Sequence, residues 1–291
     1  MKLLMFRTDG GRRLGALRPG SEDEVVELSE FADLLALIDA GEPGLEEARK
    51  LASSAGARPI PLQGLKLLAP LDPPRGNILA IGRNYRKHAA ESGHTWNEPT
   101  DPPIIFTKAI TSVTGPHDDI PVDPSVSEEL DWEAELGVVI GRRGANISRD
   151  EALGYVFGYV AINDVSARDI QNGWGGQYFK GKSLDGSCPL GPWVVTKDEI
   201  PHPQELGVRL RVNGAMKQDG NTRDMIYPVD ALIEWASKGM TLLPGAIIAT
   251  GTPDGVGFVR KPPEFLRPGD VMETEVERVG LLRNRFVAAA G

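Results

Sequence analysis

Glu133 and Glu135 open the segment LDWEAELGVVIG, whose apolar body of Leu136, Val138, Val139 and Ile140 predicts a strand entering a core. Residues two apart on a strand share a face, so both carboxylates point the same way. A third acid, Asp164, ends the apolar run GYVAIND. Three carboxylates gathered in a low-dielectric interior repel one another by roughly several kcal/mol unless a cation neutralises them. All-oxygen ligation favours a hard ion, Mg2+ or Mn2+, and the absence of a histidine or cysteine nearby in the chain disfavours zinc. A solvated strand edge with alternating acids has the same spacing.

Other polar groups could complete a site. In GRNYRKHAAESG, His88 and Glu91 are three apart and become neighbours on a helical turn. A carboxylate that holds an imidazole can orient it as a general base near neutral pH. The preceding strand ends in Gly82 and polar residues follow, the pattern of a lid over a pocket. In ARDIQNGWGGQYFKGKSLDG, Arg168, Gln171, Lys180 and Lys182 bring positive charge and donors close to Asp164. ATGTPDGVG places Thr250 and Thr252 in a turn whose hydroxyl and N–H groups could bind a carboxylate. Tyr85, Trp174, Tyr178 and the lid through Trp96 are candidate walls for the distal half of a substrate. Surface ion pairing, loop solubility and tight turns account for each of these groups singly.

The elements that must position them emerge from the remaining pattern. Residues 1–70 read as a small structural domain: a strand in KLLMFR, a serine-capped helix in SEFADLLALIDA, and a second helix in GLEEARKLAS. Residues 71–291 show short apolar runs broken by Gly, Pro, Asn and Asp, the mark of a mostly β body. Asn213-Gly214 predicts a hairpin, Ser148 a helix cap in SRDEALGYV, and Gly239 the end of a helix in YPVDALIEWASKGM. Too few helices separate the strands for a regular βαβ fold, so the class is α+β, mostly β.

Composition limits the partners. The formal net charge of −9 disfavours nucleic acid and anionic membranes, and an anionic substrate would need positive charge placed locally. With Cys188 as its one cysteine the chain can form no internal disulfide, which suits a reducing compartment. No run approaches the roughly 20 apolar residues of a membrane span, and the apolar stretch after Lys2 is too short for a signal peptide. A cytoplasmic protein is expected.

Taken together, AIGRNYRKHAAESG, DWEAELGVVIG, AINDVSARDIQ, FKGKSLDGSCPLGPWVVT, NGAMKQDGNTRDMIY and ATGTPDGVG resemble the fumarylacetoacetate hydrolase family between about Asn77 and Arg285. The resemblance implies a mixed β-roll, a homodimer, and Mg2+ or Mn2+ held by Glu133, Glu135 and Asp164. It also implies His88 with Glu91 as the lid base, Lys182 beside the metal, Lys180 as a lesser candidate, Arg168 and Gln171 lining the pocket, and Thr252 binding a substrate carboxylate. Fumarylacetoacetases proper place an aspartate ligand where Asn84 stands here, and the H-x-x-E spacing is similar instead to acylpyruvate hydrolases and oxaloacetate decarboxylases. The expected activity is metal-dependent hydrolysis of a C–C bond in a 2,4-dioxo acid, through a pyruvate enolate. The alternatives are decarboxylation of oxaloacetate, isomerisation or tautomerisation of a 2-hydroxyhepta-2,4-diene-1,7-dioate, and, more remotely, a non-enzymatic metal-stabilised binding module.

Overall fold

The computed structural model describes residues 1–93 and 101–289. Its largest sheet runs Ile60–Pro61, Glu24–Glu27, Gly11–Leu17, Lys2–Thr8, Cys188–Thr196, Val156–Asn163, Ala134–Ile140, Ile247–Ala249, Ile78–Gly82, Ile104–Lys108. A second sheet runs Ala215–Asn221, Gly207–Val212, Val271–Val276, Gly280–Ala288, Ile120–Val122. Most pairings are antiparallel; Ile247–Ala249 with Ile78–Gly82, and Gly280–Ala288 with Ile120–Val122, are parallel. The fold is α+β, predominantly β, with an N-terminal subdomain.

Every residue of Ala134–Ile140 and Val156–Asn163 is buried. Both faces of these central strands are covered, which explains why their sequences are continuous apolar runs rather than alternations. The N-terminal subdomain supplies part of that cover. Lys2–Thr8 adds to the edge of Cys188–Thr196, pairing Leu3 with Val194, so the sheet crosses from residues 1–70 into the body without a break. Leu3, Met5, Leu37 and Ile38 pack in one apolar cluster with Val160, Ile162 and Cys188. Each such fully buried side chain stabilises the fold by about 1.5–3 kcal/mol.

Some local expectations shift. Helix Leu34–Asp39 is capped not by a serine but by Asp33, whose Oδ1 accepts the Ala36 N–H at 2.8 Å. Ser148 sits at the cap of Arg149–Ala152, but its hydroxyl donates to Glu151 Oε2 rather than accepting a backbone N–H. Helix Val229–Ser237 ends just before Gly239, which has φ +67°. Asn213 and Gly214, at φ +51° and +78°, make the tight turn joining Val212 to Ala215, as a primed hairpin turn requires.

Strand direction assembles the site. Ala134–Ile140 runs antiparallel to Val156–Asn163 with Ala134 opposite Asn163, so the start of one lies beside the end of the other. The Asp164 N–H donates to Glu133 O at 2.9 Å, locking the two acids side by side. Ala249 pairs with Gly137 on one flank and Ala80 on the other, which brings the turns after Ala249 and Gly82 to the same edge.

Candidate active site

Glu133, Glu135 and Asp164 are all buried and each offers a carboxylate oxygen within 4.8 Å of the others. Glu133 lies one residue ahead of its strand, held there by the ladder bond from Asp164 and by its own N–H donating to Asn163 Oδ1 at 3.1 Å. The acids are not solvated. Lys182 Nζ donates to Glu133 Oε2 at 2.7 Å and Asp164 Oδ2 at 2.9 Å, and Arg168 Nη2 donates to Glu133 Oε1 at 2.7 Å. Burial pushes the Glu133 carboxyl up, but the Lys182 and Arg168 charges outweigh it and hold the group at about 2.

Glu135 differs. It accepts the Gly251 N–H at 2.8 Å and forms no ion pair among the described residues. Burial, then the Asp164 and Glu133 charges, raise it well above the usual carboxylate range. Four buried carboxylates in this region, Asp131, Glu133, Glu135 and Asp164, face three buried cations, Lys108, Arg168 and Lys182. With all four ionised one negative charge would be left over, and the raised Glu135 pKa shows a proton taking it up. Asp164 Oδ1 is buried and accepts no well-directed hydrogen bond among the described residues, although Lys108 Nζ lies 2.8 Å away.

The donor set therefore fits a divalent ion: three carboxylates within reach of one another, one of them kept protonated by burial and its acidic neighbours so that a cation can replace the proton. Oxygens that share one ion at about 2.1 Å lie at most about 4.2 Å apart, so small side-chain movements suffice. Among the described residues the group that can converge on one ion holds three carboxylates and neither histidine nor cysteine, which suits a hard ion. Cys188 is buried within reach of the charges on Asp164 and Glu135. Burial chiefly, with those acids, pushes the Cys188 thiol up to about 12, so it remains a neutral thiol.

Beside the acids lies a cavity of about 250 Å³ whose wall includes His88, Glu133, Arg168, Gln171, Lys182 and Thr252. His88 and Glu91 meet on helix Arg86–Glu91 as their spacing predicts, with Nδ1 and Oε1 2.8 Å apart. Glu91 is itself fixed, because both its oxygens accept the Gly255 N–H, at 3.2 and 3.0 Å. The ring is thereby braced through Nδ1, leaving Nε2 for the cavity.

Arg168 reaches the wall but is already engaged. Nε donates to Asp131 Oδ2 at 2.8 Å, Nη1 to Gln171 Oε1 at 2.9 Å and Nη2 to Glu133, while its Cζ lies 4.4 Å from the Phe258 ring centre. It sets the position of Glu133 and Gln171. The Thr252 hydroxyl donates to Ala134 O at 2.9 Å and accepts from Gln218 Nε2 at 2.8 Å; the Thr250 hydroxyl donates to Leu136 O. Both hydroxyl protons are committed to the backbone. Tyr85 is placed behind the wall, in the apolar cluster with Ile81 and Leu136, its hydroxyl without a hydrogen-bond partner among the described residues. Tyr178 does line the cavity, edge-on to Phe106 with ring centres 5.4 Å apart. Lys180 and Trp174 are exposed and lie off the wall. Trp96 falls in 94–100, outside the described residues. Asn84, at the place of the extra aspartate, spends its amide on the backbone of Tyr227 and Thr250.

Two functional residues escape the sequence argument. Lys108, at the end of Ile104–Lys108, is fully buried and donates to the carbonyls of Val165 and Lys182 as well as pairing with Asp164. Asp131 accepts from Arg168, Gly257 and Phe258. A lysine closing an apolar strand on the same face as Phe106 was the available signal for the first; nothing in WEAEL marked the second.

The fumarylacetoacetate (FAA) hydrolase C-terminal family matches residues 77–287. This chain belongs to the fumarylacetoacetate hydrolase family. Within that family it is 43% identical over 274 residues to the oxaloacetate tautomerase YisK of Bacillus subtilis, covering 91% of this chain and 90% of the relative. It is 45% identical over 252 residues to the mitochondrial oxaloacetate tautomerase fahd2 of Xenopus laevis, covering 86% of this chain and 77% of the relative. The fumarylacetoacetate hydrolase structure from Exiguobacterium antarcticum superposes with a TM-score of 0.86 at 36% identity, covering 99% of this chain and 100% of that one. The family's clustered acidic site on this fold supports a metal-dependent enzyme that processes a 2-oxo acid. Among the described residues, no helix is long and apolar enough to cross a membrane.

Proposed function

We propose that this enzyme interconverts the enol and keto forms of oxaloacetate. The observation that carries the proposal is the single braced base, His88 held by Glu91, facing a small cavity in which the acid Glu133 and the cations Arg168 and Lys182 are tied up in ion pairs. Tautomerisation moves one proton between C3 and the C2 oxygen and needs neither an attacking water nor a leaving group. The names of the two curated relatives point the same way.

His88 Nε2 takes the proton from C3 of the keto form and returns it in the reverse direction, while Glu91 keeps a proton on Nδ1. Lys182 stays protonated: burial opposes its charge, but Asp164 and Glu133 more than compensate and raise its pKa. It serves as a fixed positive charge beside the C2 oxygen, where negative charge develops, while its hydrogen bonds go to Glu133 and Asp164. Glu133, Glu135 and Asp164 would hold a divalent ion, which would supply Lewis-acid stabilisation of the developing negative charge. Phe106 and Tyr178 shield that end of the cavity from water. In the enol-forming direction His88 delivers the proton taken from C3 to the C2 oxygen, so the base is regenerated and no co-reactant is required.

The same His88–Glu91 pair favours one second reading, activation of water for hydrolysis of a 2,4-dioxo acid. The experiment that separates them adds Mg2+-loaded protein to freshly dissolved enol-oxaloacetate and follows loss of the enol absorbance, with product analysis. Faster ketonisation with oxaloacetate conserved supports tautomerisation. Release of pyruvate from an acylpyruvate without that acceleration establishes hydrolysis instead, release of CO2 from oxaloacetate establishes decarboxylation, and inertness toward all of these leaves only metal-stabilised binding.

A further inference from the structure

A 2-oxo dicarboxylate presents two carboxylates, and the acidic cluster with its cation would take only the C1 end. In a protein of net charge −9 the other end needs a cation of its own. Three permanent cations line the cavity: Arg83, Arg168 and Lys182. Arg168 is shared among Asp131, Glu133 and Gln171, and Lys182 between Glu133 and Asp164. Arg83 is half-buried and makes no hydrogen bond or ion pair among the described residues.

Its backbone is unusual as well. Arg83 has φ +55°, a left-handed conformation that is costly for any residue with a Cβ and is tolerated where the surroundings enforce it. Here they do. The Asn84 amide donates to Thr250 O at 2.7 Å and Tyr227 O at 3.0 Å, its Oδ1 accepts the Tyr227 N–H at 2.8 Å, and its own carbonyl accepts the Ile226 N–H at 2.7 Å. On the other side Gly251 packs so tightly that a Cβ there would lie 2.7 Å from Asn84 Cβ. Clamped from both sides, the turn after Ile78–Gly82 sets Arg83 on the cavity wall with its guanidinium uncommitted. A planar, permanently charged group of this kind matches a carboxylate bidentately.

We propose that Arg83 binds the distal carboxylate of the substrate and makes the site selective for 2-oxo dicarboxylates over 2-oxo monocarboxylates. The proposal rests on the tautomerase reading for the reaction it serves, but its test is one of binding. Calorimetry on the Mg2+-loaded protein compares malate, which carries the second carboxylate, with lactate and oxalate, which lack a distal one. Wild type should prefer malate to lactate. In Arg83→Asn, which removes the charge but keeps a side chain that tolerates the turn, the malate Kd should rise about 10- to 100-fold, or about 1.4–2.8 kcal/mol. The oxalate Kd should stay within about threefold, consistent with loss of a single charge-assisted contact. The melting temperature should not fall, because asparagine accepts positive φ more readily than arginine. Arg83→Lys should give an intermediate malate Kd, and it supplies the decision by the same malate-to-oxalate ratio if Arg83→Asn does not fold. Equal weakening of malate and oxalate, no change in either, or a wild type indifferent to malate over lactate overturns the proposal. Arg83-dependent malate binding in a protein that fails to ketonise enol-oxaloacetate would sink the reaction assigned above and leave this inference standing. Ketonisation by an enzyme whose malate binding ignores Arg83 would do the reverse.

Discussion

Glu133→Gln tests whether the acidic cluster is held as described. In the metal-free protein Glu133 receives two buried cations at 2.7 Å each, from Arg168 and Lys182. Removing one partner of a buried pair costs about 3–5 kcal/mol. The lower figure applies here, because Arg168 keeps Asp131 and Lys182 keeps Asp164. At about 2.1 cal/mol/K per residue, 291 residues give an unfolding entropy of about 0.6 kcal/mol/K, so about 3 kcal/mol lowers the melting temperature by about 5 K. Metal adds a second measure. Mg2+ at a hundred times its Kd stabilises the wild type by about 2.7 kcal/mol, about 4 K, and the variant, short of one ligand, should gain only about 1 K or less at the same concentration. Differential scanning calorimetry in chelator and in excess Mg2+ reads both effects. A variant that melts with the wild type in chelator and gains as much from Mg2+ would show that Glu133 neither neutralises Lys182 and Arg168 nor helps hold the ion.

Two other outcomes follow from the same geometry. His88→Gln should lower the rate of enol-oxaloacetate ketonisation by about 10²–10⁴-fold while leaving the Mg2+-induced rise in melting temperature intact; Glu91→Gln should act in the same direction, and the double variant should be little worse than His88→Gln alone, as stopped-flow absorbance can show. Cys188, with its thiol pushed up to about 12, should resist disulfide-exchange reagents in the native protein and react in denaturant. Because that pKa is raised above its ordinary value of 9.0, its contribution to stability is complete below pH 9 and is lost as pH climbs toward 12, which denaturant titrations at alkaline pH would reveal.

Much of the site was legible from local periodicity. Glu133 and Glu135 share a face because strands alternate, and His88 meets Glu91 because helical residues three apart are neighbours. Arg168 and Lys182 were identifiable by type, yet their engagement was not. Whether a cation near an acid is free for substrate or spent on that acid depends on distances that spacing does not contain, and both proved to be spent. Tyr85 looked like a wall residue and lies in the core, because the strand-to-helix turn rotates it toward Ile81 and Leu136.

The amino-acid sequence by itself determined the family, the mostly β class, the acidic triad and the His88–Glu91 pair, since each rests on residue types within a few continuous segments. Only the tertiary structure decided which charges remain unpaired. Lys108, opposite Ile78 at one end of the strand pair, reaches Asp164, and Arg83, past Gly82 at the other end, meets no acid among the described residues. Long-range strand pairing sets those neighbours, and electrostatic pairing falls off so steeply with distance and exposure that no local pattern encodes it.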